Sequence, residues 1–172
     1  LIADRVRGVS YYRLADSLNS LSAGVLSQAS GLLSKAIAVL GYAFAYEHLH
    51  LTELPNEPWV WALAFVFYDF CYYWNHRLGH ERNVLWAAHA VHHQSEDYNL
   101  STALRQTSTG FLLSWIFYLP MALAGVPPLV FITVGALNLL YQFWIHAEWI
   151  PKLGPLEGWL NTPSAHRVHH AA

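Results

Sequence analysis

A chain of 172 residues is the length of a single domain, and its composition is lopsided: 55% apolar and 15% aromatic, with only 12% charged, where soluble domains carry about a quarter charged residues. That is too few charges to coat a soluble surface of this size, and a net charge of −2 leaves no footprint for nucleic acid. The single Cys71 excludes an intrachain disulfide and any CxxC metal or redox site, and reads as a small packing residue.

Residues 1–28 carry Arg5, Arg7 and Arg13 among several Ser and Asn. They read as a polar, amphipathic lead-in suited to a membrane surface, without the compact apolar core of a cleavable signal peptide. Residues 29–46 form the first long apolar run, interrupted only by Lys35. Pro58 opens a second run, to about Trp74, with Asp69 as its only charge. Phe111 to Val126 is a third, and Pro127 and Pro128 turn the chain into a fourth, Leu129 to Ile145. Each run is about 16–18 residues, at the short end of the roughly 20 that cross a bilayer. A buried soluble helix explains any one of them. Four together, with so few charges between, predict an all-α bundle of about four membrane helices, although the last two also suit a re-entrant hairpin. The chain begins at Leu1 and stops two residues after His170, so both ends read as cut.

The loop charges give the bundle an orientation. The 47–57 loop holds Glu47, Glu53 and Glu57 and no Lys or Arg, whereas the 75–110 stretch holds Arg77, Arg82 and Arg105 and the tail holds Lys152 and Arg167. Cytoplasmic loops are enriched in Lys and Arg, which predicts that the N-terminus, the 75–110 stretch and the tail are cytoplasmic.

The histidines carry the chemistry. HRLGH supplies His76 and His80, HAVHH supplies His89, His92 and His93, and HRVHH supplies His166, His169 and His170, with His146 standing alone before the last group. All nine fall on the predicted cytoplasmic side, and His48 and His50 on the other. Imidazole is the commonest protein metal ligand, and residues three and four apart share one face of a helix, so each cluster can aim two or three nitrogens at one point. Eight clustered ligands exceed the four to six sites of one ion, and the count predicts two metals. A solvated His-rich tract is short and local, whereas membrane-length segments separate these clusters. Glu47 and His50 spell a single ExxH on the wrong side, and HERNV at 80–84 lacks the second His of a zincin.

Carboxylates near the clusters are scarce. Asp69, Glu81, Glu96, Asp97 and Glu148 are candidates to accept the other N–H of a ligating imidazole. Imidazole suits Zn, Cu, Fe and Ni, and the absence of a thiolate cluster removes Fe–S and blue-copper sites. Two metals beside apolar helices point to O₂ activation against a lipid C–H bond. A zinc-dependent membrane hydrolase and a catalytically inactive membrane metal-binding protein stand as readings of another class. Arg105 and Gln106 are candidates to meet a lipid head group or a pterin, with a plain surface role equally open.

YDFCYYWNHRLGHE (68–81), LWAAHAVHHQSEDYNLSTALRQ (85–106) and NLLYQFWIHAEWIPKLGPLEGWLNTPSAHRVHH (138–170) resemble the fatty acid hydroxylase / sterol desaturase superfamily of integral membrane enzymes, closest to its alkylglycerol monooxygenase-like branch. The resemblance covers about residues 11–170. It implies a helical membrane domain over 29–172, preceded by the lead-in 1–28, truncated at its C-terminal end and capped by a cytoplasmic di-iron site. It implies two irons held by His76, His80, His89, His92, His93, His166, His169 and His170, with His146 as a further ligand, and a lipid substrate hydroxylated with O₂ and two electrons. In the alkylglycerol branch it implies tetrahydrobiopterin as the reductant and cleavage of the ether. Sterol and fatty acyl oxidation use the same scaffold. The family usually has His at the position of Ala165, but the HxxHH pattern survives intact.

Overall fold

The computed structural model describes residues 2–171 and is all-α, with no strand among the described residues. In chain order the helices are α1 (Ile2–Arg7), α2 (Leu14–Leu49), α3 (Pro58–Glu81), α4 (Asn83–His93), α5 (Leu100–Leu104), α6 (Phe111–Ser114), α7 (Leu119–Leu123), α8 (Pro128–Ile145) and α9 (Pro163–His170). Short 3₁₀ turns occupy Trp115–Tyr118 and Gly154–Gly158.

Three of the four apolar runs become helix, within α2, α3 and α8, the first of them bent. The third does not. It breaks into α6, a 3₁₀ turn and α7, because Pro120 lacks a backbone N–H and is accepted only in the first turn of a new helix, where it sits. By length and apolarity α8 is the one described helix able to cross a membrane on its own. Leu14–Leu32 and Lys35–Leu49, which meet at a 46° bend, pass the same test only as a pair. In α3 the cause is composition: its apolar stretch is rich in Trp and Tyr, whose polar tips lower the hydropathy, and it ends in His76, Arg77, His80 and Glu81.

Two compact units divide the chain, the first made of Leu1–Ser27, Ala90–Thr107 and Leu140–Ala172, the second of Gln28–His89 and Ser108–Leu139. The core of the second unit gathers Tyr42, Ala45, Ala64, Cys71, Tyr118, Met121, Ala122, Val126, Val130 and Val134. Tyr42 stacks on Phe131 at 3.9 Å, and its hydroxyl donates to the Val126 carbonyl at 2.9 Å. That bond satisfies the one polar atom the ring brings into the core. Gly125 makes the turn between α7 and α8 possible: its φ is +81°, and a Cβ there would lie 1.9 Å from the Thr52 carbonyl oxygen. Leu51 N–H and the Thr52 hydroxyl close that turn through bonds to the Leu123 and Ala124 carbonyls.

In the first unit the residues expected as a lead-in serve as a brace. Asp16, Ser20, Gly24 and Ser27 recur at helical spacing on α2 and face the 95–107 segment. Asp16 accepts from the Ser95 hydroxyl at 2.6 Å and from the Glu96 N–H at 3.1 Å, and the Ser27 hydroxyl donates to the Thr107 carbonyl at 2.8 Å. Gly24 lets the two backbones meet, since a Cβ there would sit 2.4 Å from the Leu104 carbonyl oxygen. Arg13 adds ion pairs to Asp97 and Glu96, each at 2.8 Å. Asn99, fully buried, caps α5 through Ser101 N–H and donates to the Tyr11 carbonyl at 2.6 Å. A polar α2 face is thus consumed inside the unit rather than spread on a surface.

Candidate metal centre

The second unit brings His76, His80 and His89 together. His76 and His80 sit one turn apart near the end of α3. Arg82 is extended (φ −119°, ψ 119°), so the helical path breaks there and restarts as α4, which carries His89. The three rings lie 4.6–5.0 Å apart, His80 Nε2 is 3.1 Å from His89 Nε2, and each residue offers one nitrogen within 4.8 Å of the others. The Tyr72 hydroxyl stands 3.4 Å from His76 Nδ1.

The first unit gathers His92 from α4, His146 from just beyond α8, and His166 and His170 from α9, again with one nitrogen each within 4.8 Å. His92, His146 and His166 are buried. Two tautomers are fixed by chemistry. A backbone carbonyl can only accept, so His92 Nδ1, 2.9 Å from the Arg105 carbonyl, and His146 Nδ1, 2.7 Å from the Gln142 carbonyl, must carry the hydrogens. Their Nε2 atoms then hold lone pairs, and these face each other across 3.2 Å. His166 Nε2 lies 3.1 Å from His146 Nε2, and its Nδ1 faces the Asn161 side-chain amide at 3.4 Å. His170 Nε2 is buried with no hydrogen-bond partner among the described residues. Lone pairs aimed at one another in a dry interior repel unless a cation lies between them. This donor set therefore fits a metal ion of the kind that takes imidazole nitrogen.

Electrostatics agree. Burial lowers the pKa of His146 to about 4, reinforced by His92. Burial likewise pushes His170 well below its ordinary value, with His92, His166, His93 and His146 adding to the effect. Both rings are neutral near pH 7, the form that binds a metal. Tyr98 packs along the group: its ring stacks on His146 at 5.6 Å, and its hydroxyl donates to the Ile145 carbonyl at 2.6 Å, tying down the end of α8 beside His146.

His93 and His169, also in the first unit, face each other at 4.8 Å, and His93 stacks on His170 at 4.4 Å. The side-chain acceptors expected for the imidazoles are engaged elsewhere. Glu81 pairs with Arg77, Glu96 and Asp97 with Arg13, Glu148 with Arg167, and Asp69 accepts from Asn138 at 3.3 Å. Backbone carbonyls, which residue identity does not reveal, take the Nδ1 hydrogens of His92 and His146 instead. Arg105, expected at a surface or a head group, is buried. Sequence reasoning missed Glu157. Its carboxylate accepts from Leu153 N–H and from the hydroxyls of Thr162 and Ser164 at 2.5–2.7 Å, and these bonds hold its pKa below the ordinary value. It thereby clamps the start of α9, whose N-cap is Thr162. His48 and His50 make local contacts, to the carbonyls of Phe44 and Tyr46 four residues back and, for His50, to Glu53 three residues on.

Among known protein families, fatty acid hydroxylase matches residues 61–172, which include every one of the nine histidines. The chain belongs to the fatty acid hydroxylase family. Relatives within reach of this assignment include the alkylglycerol monooxygenases of Homo sapiens, 55% identical over 92% of this chain, and Danio rerio, 52% identical over 93%. The ornithine lipid hydroxylase OlsE of Rhizobium tropici is 31% identical over 79% of the chain. The chain spans about a third of the length of the alkylglycerol monooxygenases, 36% in both of these cases, and 42% of the bacterial hydroxylase. No solved structure matches. Membership in the fatty acid hydroxylase family and the nitrogen-only donor groups agree on the kind of centre, a histidine-box metal site.

Proposed function

We propose that this chain carries the metal-binding core of a membrane di-iron monooxygenase that hydroxylates a lipid C–H bond, with the ether carbon of an alkylglycerol as the substrate position. The observation that carries the reading is the pair of converging imidazole groups, above all the lone pairs of His92 and His146 facing each other at 3.2 Å. Two irons would be held by His76, His80, His89, His92, His93, His146, His166, His169 and His170. When bound, they supply the activation of O₂ that a lipid C–H bond demands, with two electrons from a reductant that we take to be tetrahydrobiopterin.

The protein's own part is to bind, orient and dry the site. The Arg105 and Gln142 carbonyls set the tautomers of His92 and His146, Tyr98 holds the end of α8 and Glu157 the start of α9, and burial keeps His146 and His170 neutral. Identity of 52–55% to alkylglycerol monooxygenases favours the ether lipid over a sterol or fatty acyl substrate. A membrane location is supported by α8 and by the exposed apolar stripe Leu63, Val66 and Phe70 on α3. The Lys and Arg distribution supports a cytoplasmic position for the histidines. In this reading residues 29–172 form the catalytic domain and 1–28 lead into it.

The test is elemental analysis of the full-length protein purified from iron-supplemented cells, followed by turnover of an alkylglycerol with tetrahydrobiopterin and O₂. About two irons per chain and release of a fatty aldehyde are expected. One zinc that resists replacement by iron, with hydrolysis that needs no O₂, would overturn it.

A further inference from the structure

Arg105 is an anomaly. It is 5% exposed, it has no ion-pair partner among the described residues, and its Nη1 is buried without a hydrogen bond. A buried guanidinium without a counter-ion costs stability, so the charge is not the reason for an arginine here. What the residue does make is two well-formed bonds. Its Nε donates to the Val91 carbonyl at 2.6 Å, and its own carbonyl accepts from His92 Nδ1 at 2.9 Å. Val91 lies in the last turn of α4, where carbonyls have no helical partner. The side chain therefore straps residue 105 to the backbone one residue before His92, and the strap holds the carbonyl of residue 105 against the imidazole. α5, capped by Asn99, delivers Arg105 to this position as its own C-cap.

We propose that Arg105 is a positioning residue for His92. Its Nε–H, rather than its charge, holds the acceptor that fixes His92 in the Nδ1–H tautomer and presents Nε2 as a ligand. This rests on the reading of His92, His146, His166 and His170 as metal ligands, and it separates donor from charge in a way that substitutions can resolve. Glutamine places an N–H donor the same number of bonds from Cα as the arginine Nε, without charge. Lysine keeps the charge but carries its donor one atom farther out. Methionine has neither.

The experiment compares Arg105→Gln, Arg105→Lys and Arg105→Met in the full-length protein. It reads iron per chain, the rate of iron release to a chelator, and the His92 tautomer in the metal-free protein by ¹⁵N NMR. Arg105→Gln is expected to keep the wild-type iron content and the Nδ1–H tautomer, and to melt no lower than wild type, since it sheds an unpaired buried charge. Arg105→Met and Arg105→Lys are expected to show mixed His92 tautomers and iron release faster by about 10–100-fold, the usual effect of losing a bond that orients a ligand. Retention of iron and tautomer by Arg105→Lys with loss in Arg105→Gln would overturn the proposal, because charge would then be the property in use. If Arg105→Met does not fold, the Gln and Lys variants still decide between the two. Absence of iron in the wild type would instead refute the metal reading, while the tautomer measurement would still judge Arg105.

Discussion

His146 and His170 differ from ordinary surface histidines in one respect, that their protonation is coupled to folding. The folded pKa of His146 is lowered to about 4, against about 6.5 in an unfolded chain. Between those values the unfolded chain takes up a proton that the folded chain refuses, so acid favours unfolding. Stability of the metal-free protein should fall as pH drops from about 6.5 to about 4, by roughly 3 kcal/mol for this one ring, and level off below. Thermal melts of the metal-free protein across that range would show it, and His146→Phe should flatten the slope. His92→Ala should abolish metal binding and turnover together, because it deletes one of the two facing lone pairs. His48→Ala should leave both intact, since that ring bonds only to Phe44 of its own helix. Metal content and product formation measured in parallel check the pair, and identical behaviour would refute the assignment.

Elements succeed or fail here on small contacts between backbones. Alanine in a helix is normally favoured over glycine by about 1 kcal/mol, yet Gly24→Ala should destabilise. Its Cβ would lie 2.4 Å from the Leu104 carbonyl oxygen, a backbone atom that cannot swing away, and the overpacking should cost about 1–3 kcal/mol. A chemical-denaturation midpoint decides the sign. Glu157→Gln should loosen the start of α9, since an amide cannot accept all three bonds that the carboxylate takes from Leu153, Thr162 and Ser164. Faster iron loss with little change in helix content is the expected result, read by chelator challenge and circular dichroism. At this scale the sequence was legible where one property ran along a segment. The apolar runs at 29–46, 58–74 and 129–145 became helix, and the four-residue spacing did bring His76 to His80 and His166 to His170, whereas HAVHH was divided, His89 going to one group and His92 to the other. It was not legible where a single atom decided. Pro120 broke the third run, and the small polar residues of α2, which suit a membrane surface equally well, proved to be a packing face because of what lies opposite them.

For the molecule as a whole, the histidine groups were the most readable feature and their supports the least. Side-chain chemistry announces a ligand, but the acceptors behind His92 and His146 are main-chain carbonyls of Arg105 and Gln142, and every residue has one. The membrane is legible only coarsely: composition predicted about four spans, and among the described residues length and apolarity alone pick out α8 and, as a bent pair, the two parts of α2. Both scales meet in one global expectation. If imidazole lone pairs are held facing one another, the metal-free protein stores that repulsion, and metal should stabilise it by mass action. Stripping the ions with a chelator should lower the melting temperature, and adding iron should restore it.

The clamp at Glu157 has a temporal meaning as well. The four nitrogens of His92, His146, His166 and His170 come from points far apart along the chain, so during synthesis the nest stays open until α9 has emerged from the ribosome and its first turn has been fastened. Ion capture is then a late checkpoint rather than a seed for folding. The order of events follows from the chain alone: α9 must be made and clamped by Glu157 before its histidines can reach those already waiting in α4 and beyond α8.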